Sequence, residues 1–125
     1  MKLFSLEEAN SLLPEVRRMV SAISRAHALV ASFQDASRVA AERAERGGGH
    51  MPEGAKYVKT LLTLVERAQE LEALGIQIKD YGRGLIDFPS LRDGRVVLLC
   101  WQLGEGDQIE WWHETEAGFA GRQPI

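Results

Sequence analysis

The stretch that decides the fold is LEALGIQIKD, residues 71–80. Before Gly75 the apolar residues recur at intervals of three and four, whereas Ile76 and Ile78 alternate with polar neighbours. The first spacing places apolar side chains on one face of a helix, and the second places them on one face of a strand. The sequence therefore predicts an α+β fold with helices before Gly75 and strands after it.

Two long helices are predicted before this stretch. The nearer one ends at Gly75, because glycine is common just past the last turn of a helix. The farther one runs to about Arg46 and is ended by Gly47, Gly48 and Gly49, since residues without Cβ make further helix costly. Residues 47–54 are predicted to form a flexible loop that lets the two helices pack as an antiparallel hairpin. The apolar seam of the farther helix comprises Val16, Met19, Ile23, Ala26, Val30, Phe33, Ser37, Ala40 and Ala44.

A short capped helix is predicted before the hairpin. Ser5, followed three residues later by Glu8, has the form of a capping box, so a helix should begin near Leu6. Pro14 lacks the N–H group that a helix interior uses. We therefore expect a break or kink in residues 10–13, with Ser11 capping a new helix.

Three features predict a small antiparallel β-sheet after Gly75. Asp93-Gly94 is a favoured pair for a two-residue hairpin turn. The run 96–103 is apolar except for Gln102, which predicts a central strand buried on both faces. Residues 108–114 predict another strand, and residues 115–125 an irregular, glycine-rich tail. We expect one domain over residues 1–125, with a helical hairpin part (1–75) and a β-rich part (76–125).

Composition excludes several classes of function. The formal net charge is −3 and the basic residues are interleaved with acidic ones, so no nucleic-acid partner is expected. No apolar run approaches the length of a membrane span, so no membrane association is expected. The single cysteine, Cys100, and the lack of a secretory pattern indicate a cytoplasmic protein. No dinucleotide or phosphate-loop motif is present, and no cofactor is expected.

Cys100 and His113 are the first candidates for chemistry. If the chain turns near Glu105-Gly106, Cys100 lies opposite Trp111 and His113 follows two residues later on the same face. No Asn or Asp at a recognisable spacing orients the histidine, so thiolate catalysis is disfavoured. We interpret Cys100 as a small buried apolar residue in the central strand.

Metal binding would have to rely on His113, Glu114 and Glu116, with Asp87 or His50. No two histidines share a chelating interval, so no metal is expected, and His50 is expected to be solvated.

A polar set in the β-rich part provides candidate ligand-binding residues, namely Asp80, Asp87, His113 and Arg122. Aspartates beside glycine turns usually accept hydrogen bonds from nearby backbone donors. The Arg122 guanidinium suits a carboxylate or phosphate, and the simpler expectation is that it ties the tail to Asp80 or Asp87. An alternative function is therefore a small ligand-binding or hydrolytic protein that uses Asp87, His113, Glu114 and Arg122.

Three tryptophans predict an interface. Trp111 and Trp112 are neighbours and point to opposite faces of their strand, and Trp101 lies in the adjacent strand. The helical hairpin covers only one face, so we expect a second copy to cover the other. The leading hypothesis is a homodimeric protein-interaction module, without enzymatic activity, that presents this surface to a partner.

Several short motifs resemble one family. They are Phe4–Val16 at the start, then Ile78–Asp80, Gly84–Pro89, Leu99–Glu105, Trp112–Glu114 and Gly118–Pro124. Together they resemble the DUF2203 family of uncharacterised prokaryotic proteins over nearly the whole chain except the glycine loop. The resemblance implies membership and no known activity. It marks the polar positions that match the family's motifs, which are Asp80, Asp87, Cys100, Glu105, His113 and Arg122.

Overall fold

The structure, a computed structural model, describes residues 1–45 and 54–125. It contains the helices α1 (Leu6–Glu45) and α2 (Gly54–Ala73), a 3-10 helix (Phe119–Gly121) and five strands, β1 (Gln77–Asp80), β2 (Leu85–Arg92), β3 (Arg95–Gln102), β4 (Trp111–Glu114) and β5 (Gln123–Pro124). The predicted glycine run and His50 lie outside the described residues. Neither of the two long helices carries a stretch with the length and apolarity of a membrane span.

The helix α1 begins at the predicted residue, Leu6, and continues through the predicted break. The Ser5 N–H donates to the Glu8 carboxylate at 3.1 Å, and the Glu8 N–H donates to Ser5 Oγ at 3.0 Å. The hydrogen bond from the Ser5 N–H to the carboxylate is the largest cause that lowers the pKa of Glu8. The predicted break in residues 10–13 is wrong, because one helix continues through Pro14. Leu13 and Val16, on either side of Pro14, are fully buried. Burying them contributes about 1.5–3 kcal/mol each, which offsets a proline cost of about 3 kcal/mol.

The helix α2 packs antiparallel on α1, as predicted. The rings of Phe33 in α1 and Tyr57 near the start of α2 meet edge to face with centroids 5.7 Å apart. Gly75, just past the end of α2, has φ +96°, and a Cβ there would lie 2.6 Å from the Cβ of Lys2. Both the backbone conformation and the close approach require glycine. The predicted glycine stop is confirmed.

The five strands form one sheet in the order β1-β2-β3-β4-β5, and every neighbouring pair is antiparallel. The predicted central strand is confirmed as β3. The β2–β3 turn has positive φ at both Asp93 (51°) and Gly94 (77°), as the sequence predicts for a two-residue hairpin turn. The tail is more regular than predicted, because it forms the 3-10 helix and the edge strand β5.

One face of the sheet packs on the helices and forms the core. Its members include Leu13, Val16, Val20 and Ile23 from α1 and Ile86, Phe88, Val97, Leu99, Trp101 and Trp112 from the sheet. Trp101 is 1% exposed and Trp112 is 6% exposed. Two of the three tryptophans predicted at an interface therefore lie in the core of this chain. The residues that alternate with the core set point to the other face of the sheet.

Candidate metal centre

Three adjacent strands each place one polar side chain on the sheet face away from the helices. Asp87 of β2 pairs directly with Cys100 of β3, and Cys100 pairs with Trp111 of β4. His113 lies two residues beyond Trp111 and so points to the same side. A carboxylate oxygen of Asp87, the sulfur of Cys100 and a ring nitrogen of His113 lie within 4.8 Å of one another. All three residues are buried, with exposed fractions of 1%, 1% and 2%.

Hydrogen bonds fix the ring of His113. Its Nδ1 lies 2.7 Å from the carbonyl oxygen of Glu114, and its Nε2 lies 3.1 Å from each carboxylate oxygen of Asp87. A carbonyl oxygen only accepts, so Nδ1 carries a proton and donates it. The Nε2 atom therefore faces the carboxylate of Asp87. Nε2 is the nitrogen available to a metal ion, while the Nδ1–H bond to the backbone fixes the ring, as is usual for metal-binding histidines.

The thiol of Cys100 is protonated when no metal is bound. Burial raises the pKa of Cys100 to about 12, the Asp87 carboxylate adds to the increase, and the nearby Arg122 opposes it. Nucleophilic cysteines have lowered pKa values, so the structure argues against thiolate catalysis, as the sequence did. A coordinated metal ion reverses this balance, because a thiol bound to a metal is deprotonated.

Arg122 closes the C-terminal segment, residues 115–125, over the centre. Its guanidinium donates to both carboxylate oxygens of Glu105, at 3.2 and 2.6 Å, and lies 3.7 Å from the sulfur of Cys100. It also lies over the rings of Trp111 (4.8 Å) and Phe119 (4.4 Å). Burial alone would lower the pKa of Arg122, but the bonds to Glu105 and Cys100 outweigh it and raise the pKa. The cation is therefore held in place beside the thiol, with its charge balanced by Glu105.

The structure brings together three of the four candidate ligand-binding residues. Asp87, His113 and Arg122 all meet around Cys100. The fourth, Asp80, accepts a hydrogen bond from the N–H of Arg83 at 2.9 Å, which is the turn role expected of an aspartate. Arg122 is tied to Glu105, and not to Asp80 or Asp87 as the simpler expectation had it.

The other acidic candidates lie outside the cluster. The carboxylate of Glu114 pairs with Arg95 at the surface, and this hydrogen bond lowers the pKa of Glu114. Glu116 is exposed and contacts Thr115. Of the residues that the sequence offered for metal binding, His113 and Asp87 belong to the centre, whereas Glu114 and Glu116 do not.

The sequence interpretation did not place Cys100 with Asp87 in one polar cluster, although a signal for this existed. A two-residue turn at Asp93-Gly94 fixes the register of the hairpin, and the sixth pair outward from that turn is Asp87 with Cys100. Combined with the predicted pairing of Cys100 with Trp111, which the structure confirms, this register places Asp87, Cys100 and His113 on one face.

These features define an α+β protein in which a helical hairpin covers one face of an antiparallel sheet and a buried Asp-Cys-His cluster occupies the other. The chain belongs to the family described as "Uncharacterized conserved protein (DUF2203)", which matches residues 2–125. The resemblance seen in the sequence is thereby confirmed, and the description assigns no activity. No curated protein and no solved structure matches the chain.

Proposed function

We propose that the protein binds one divalent transition-metal ion, with Zn²⁺ the best fit, through Asp87, Cys100 and His113. The observation that carries the proposal is the meeting of three buried ligand atoms within 4.8 Å. A thiolate and an imidazole suit Zn²⁺ and not Mg²⁺ or Ca²⁺, which take oxygen ligands. Zinc bonds of roughly 2.0–2.3 Å place tetrahedral ligand atoms about 3.5 Å apart, so a small closure of the cluster suffices.

The charge balance of the centre supports this proposal. Asp87 supplies a carboxylate, Cys100 a thiolate once its proton is displaced, and His113 a neutral imidazole. The two positive charges of Zn²⁺ match the carboxylate and the thiolate. The Arg122–Glu105 pair adds no net charge. The metal-bound centre is therefore neutral in sum, as a buried site requires, because an unbalanced buried charge would be costly.

The burial of the ligands favours stable binding over turnover. Three protein ligands leave one position of a tetrahedral ion open, as in catalytic zinc sites. Here the C-terminal segment lies over the centre, held by Arg122. The hydrolytic alternative would need this segment to open. Because Asp87, Cys100 and His113 belong to β2, β3 and β4, a bound ion would join these three strands and stabilise the sheet.

The proposal is tested with untagged protein refolded from urea in the presence of Co²⁺, a coloured substitute for Zn²⁺. We expect one equivalent of bound ion and a near-ultraviolet thiolate-to-cobalt band. Cys100→Ser should abolish the band, and His113→Ala should weaken binding. His27→Ala is the matched control, because His27 stacks on Tyr81 away from the cluster. A band that survives in Cys100→Ser, or no bound ion, contradicts the proposal.

We also propose the homodimeric interaction role expected from the sequence, but on a different surface. The core position of Trp101 and Trp112 leaves them no surface for a partner. The outward face of α2 offers one instead, with Val58, Leu62 and Val65 exposed. Light scattering over a range of concentrations tests this role, and a monomer throughout contradicts it.

We also propose a cytoplasmic location. A reducing compartment keeps a cysteine thiol from forming disulfides, so Cys100 would stay available to a metal ion.

A further inference from the structure

The outward face of α2 carries an apolar stripe that the described chain leaves exposed. Val58 is 54% exposed, Leu61 37%, Leu62 55% and Val65 44%. Their spacings of three and four align them along one side of the helix. On a neighbouring side of α2, rotated from that of Val58, Leu62 and Val65, Ala68 and Leu71 are buried. The helix therefore has two apolar faces, as expected of a helix that packs between two partners.

Two charged residues beside this stripe, Lys59 and Glu66, indicate that its partner is a second copy of the chain. Lys59 and Glu66 lie on the same side of the stripe, two helical turns apart. Among the described residues, neither has an ion pair within the chain. When two identical helices pack antiparallel about a two-fold axis, each flank meets the same flank of the other copy. Lys59 of one copy then faces Glu66 of the second copy, and symmetry repeats the pair.

We propose that a second copy of this chain docks on the stripe, with α2 antiparallel to α2 and the two-fold axis near Leu62. A parallel two-fold arrangement would bring opposite flanks of the two helices together, so Lys59 and Glu66 would not face each other. The antiparallel arrangement pairs both charges and joins two helical hairpins into a four-helix bundle. This proposal rests on the interaction role above and is independent of the metal centre, which lies on the far face of the sheet.

The apolar part of the interface is tested by sedimentation of the full chain over a range of concentrations. Leu62→Glu places two like charges beside the axis and should raise the dimer Kd at least about 100-fold. Leu91→Glu is the matched control, because Leu91 is 58% exposed on β2, outside the stripe. Circular dichroism shows whether each variant is folded. A dimer that Leu62→Glu leaves intact overturns this surface while leaving the homodimer itself standing.

The antiparallel register is tested by exchanging the charges. Lys59→Glu and Glu66→Lys should each raise the Kd about 10-fold, because each replaces two attractive contacts by two repulsive ones. The double variant Lys59→Glu/Glu66→Lys should restore the Kd of the wild type. A double variant that is weaker than both single variants overturns the register. A wild-type chain that stays monomeric at every concentration overturns both this proposal and the homodimer.

Discussion

The apparent affinity for Zn²⁺ should rise about 10-fold for each pH unit near neutrality, because binding displaces the thiol proton of Cys100. Burial raises the pKa of Cys100 to about 12, so the thiol holds its proton throughout this range. The Zn²⁺ ion must replace this proton, so a higher pH favours the bound state. Each displaced proton contributes a tenfold change in affinity per pH unit.

Calorimetry in buffers of different ionisation enthalpy counts the displaced protons directly, and competition with a chelator of known pH dependence gives the slope. Cys100→Ser is the informative variant, because a serine hydroxyl keeps its proton. It should bind more weakly and release about one proton fewer than the wild type. Release of no proton by the wild type would refute the assignment of Cys100 as a ligand, and an unchanged count in Cys100→Ser would exclude the thiolate.

Three further predictions concern the free energy of unfolding of the metal-free protein, measured by urea denaturation. Between about pH 9 and 12 this free energy should fall by roughly 1.4 kcal/mol per pH unit, because the Cys100 thiol ionises in the unfolded chain and stays protonated in the folded one. Cys100→Ala should lack this loss. Parallel curves of free energy against pH for the wild type and Cys100→Ala would contradict the prediction. Arg122→Gln should lower the free energy of unfolding by about 3 kcal/mol, because it leaves the largely buried Glu105 carboxylate without its ion-pair partner. Adding Glu105→Gln should recover part of that loss. Gly75→Ala should lower the free energy of unfolding by at least about 1–2 kcal/mol, because the backbone there is left-handed. Gly54→Ala should change it by less than about 1 kcal/mol, because a Cβ at Gly54 would have no heavy atom within 4 Å. Equal effects of the two substitutions would be inconsistent with strain at Gly75.

The elements that local rules govern were predictable from the sequence. The period change at Gly75 separates helix from strand, and the Asp93-Gly94 turn needs only the φ preferences of its two residues. Pro14 was misjudged because its local cost competes with burial of Leu13 and Val16, which depends on strands far away in the chain. The assignment of the whole chain to one domain stays a prediction.

The candidate site was only partly predictable. Asp87 and His113 were named as polar residues in a β-rich part, and the pairing of Cys100 with Trp111 was predicted correctly. The contact of Arg122 with Glu105 had no signal, because it joins two irregular segments whose approach depends on the folded sheet. Cys100 was set aside because burial alone cannot distinguish a small apolar residue from a ligand. The distinction comes from what else lies on the same face.

The Asp93-Gly94 turn is also much shorter than the connection between β3 and β4, residues 103–110, which favours early pairing of Asp87 with Cys100. Hairpins form in about 1–10 μs, so β2 and β3 can bring Asp87 and Cys100 together before the later part of the chain adds His113. At that stage the thiol and the carboxylate still face water. An ion should therefore enter most readily while the chain is folding. Folded apo-protein should take up metal slowly, at the rate of local opening of the C-terminal segment, whereas refolding in the presence of Zn²⁺ should fill the site as the sheet closes.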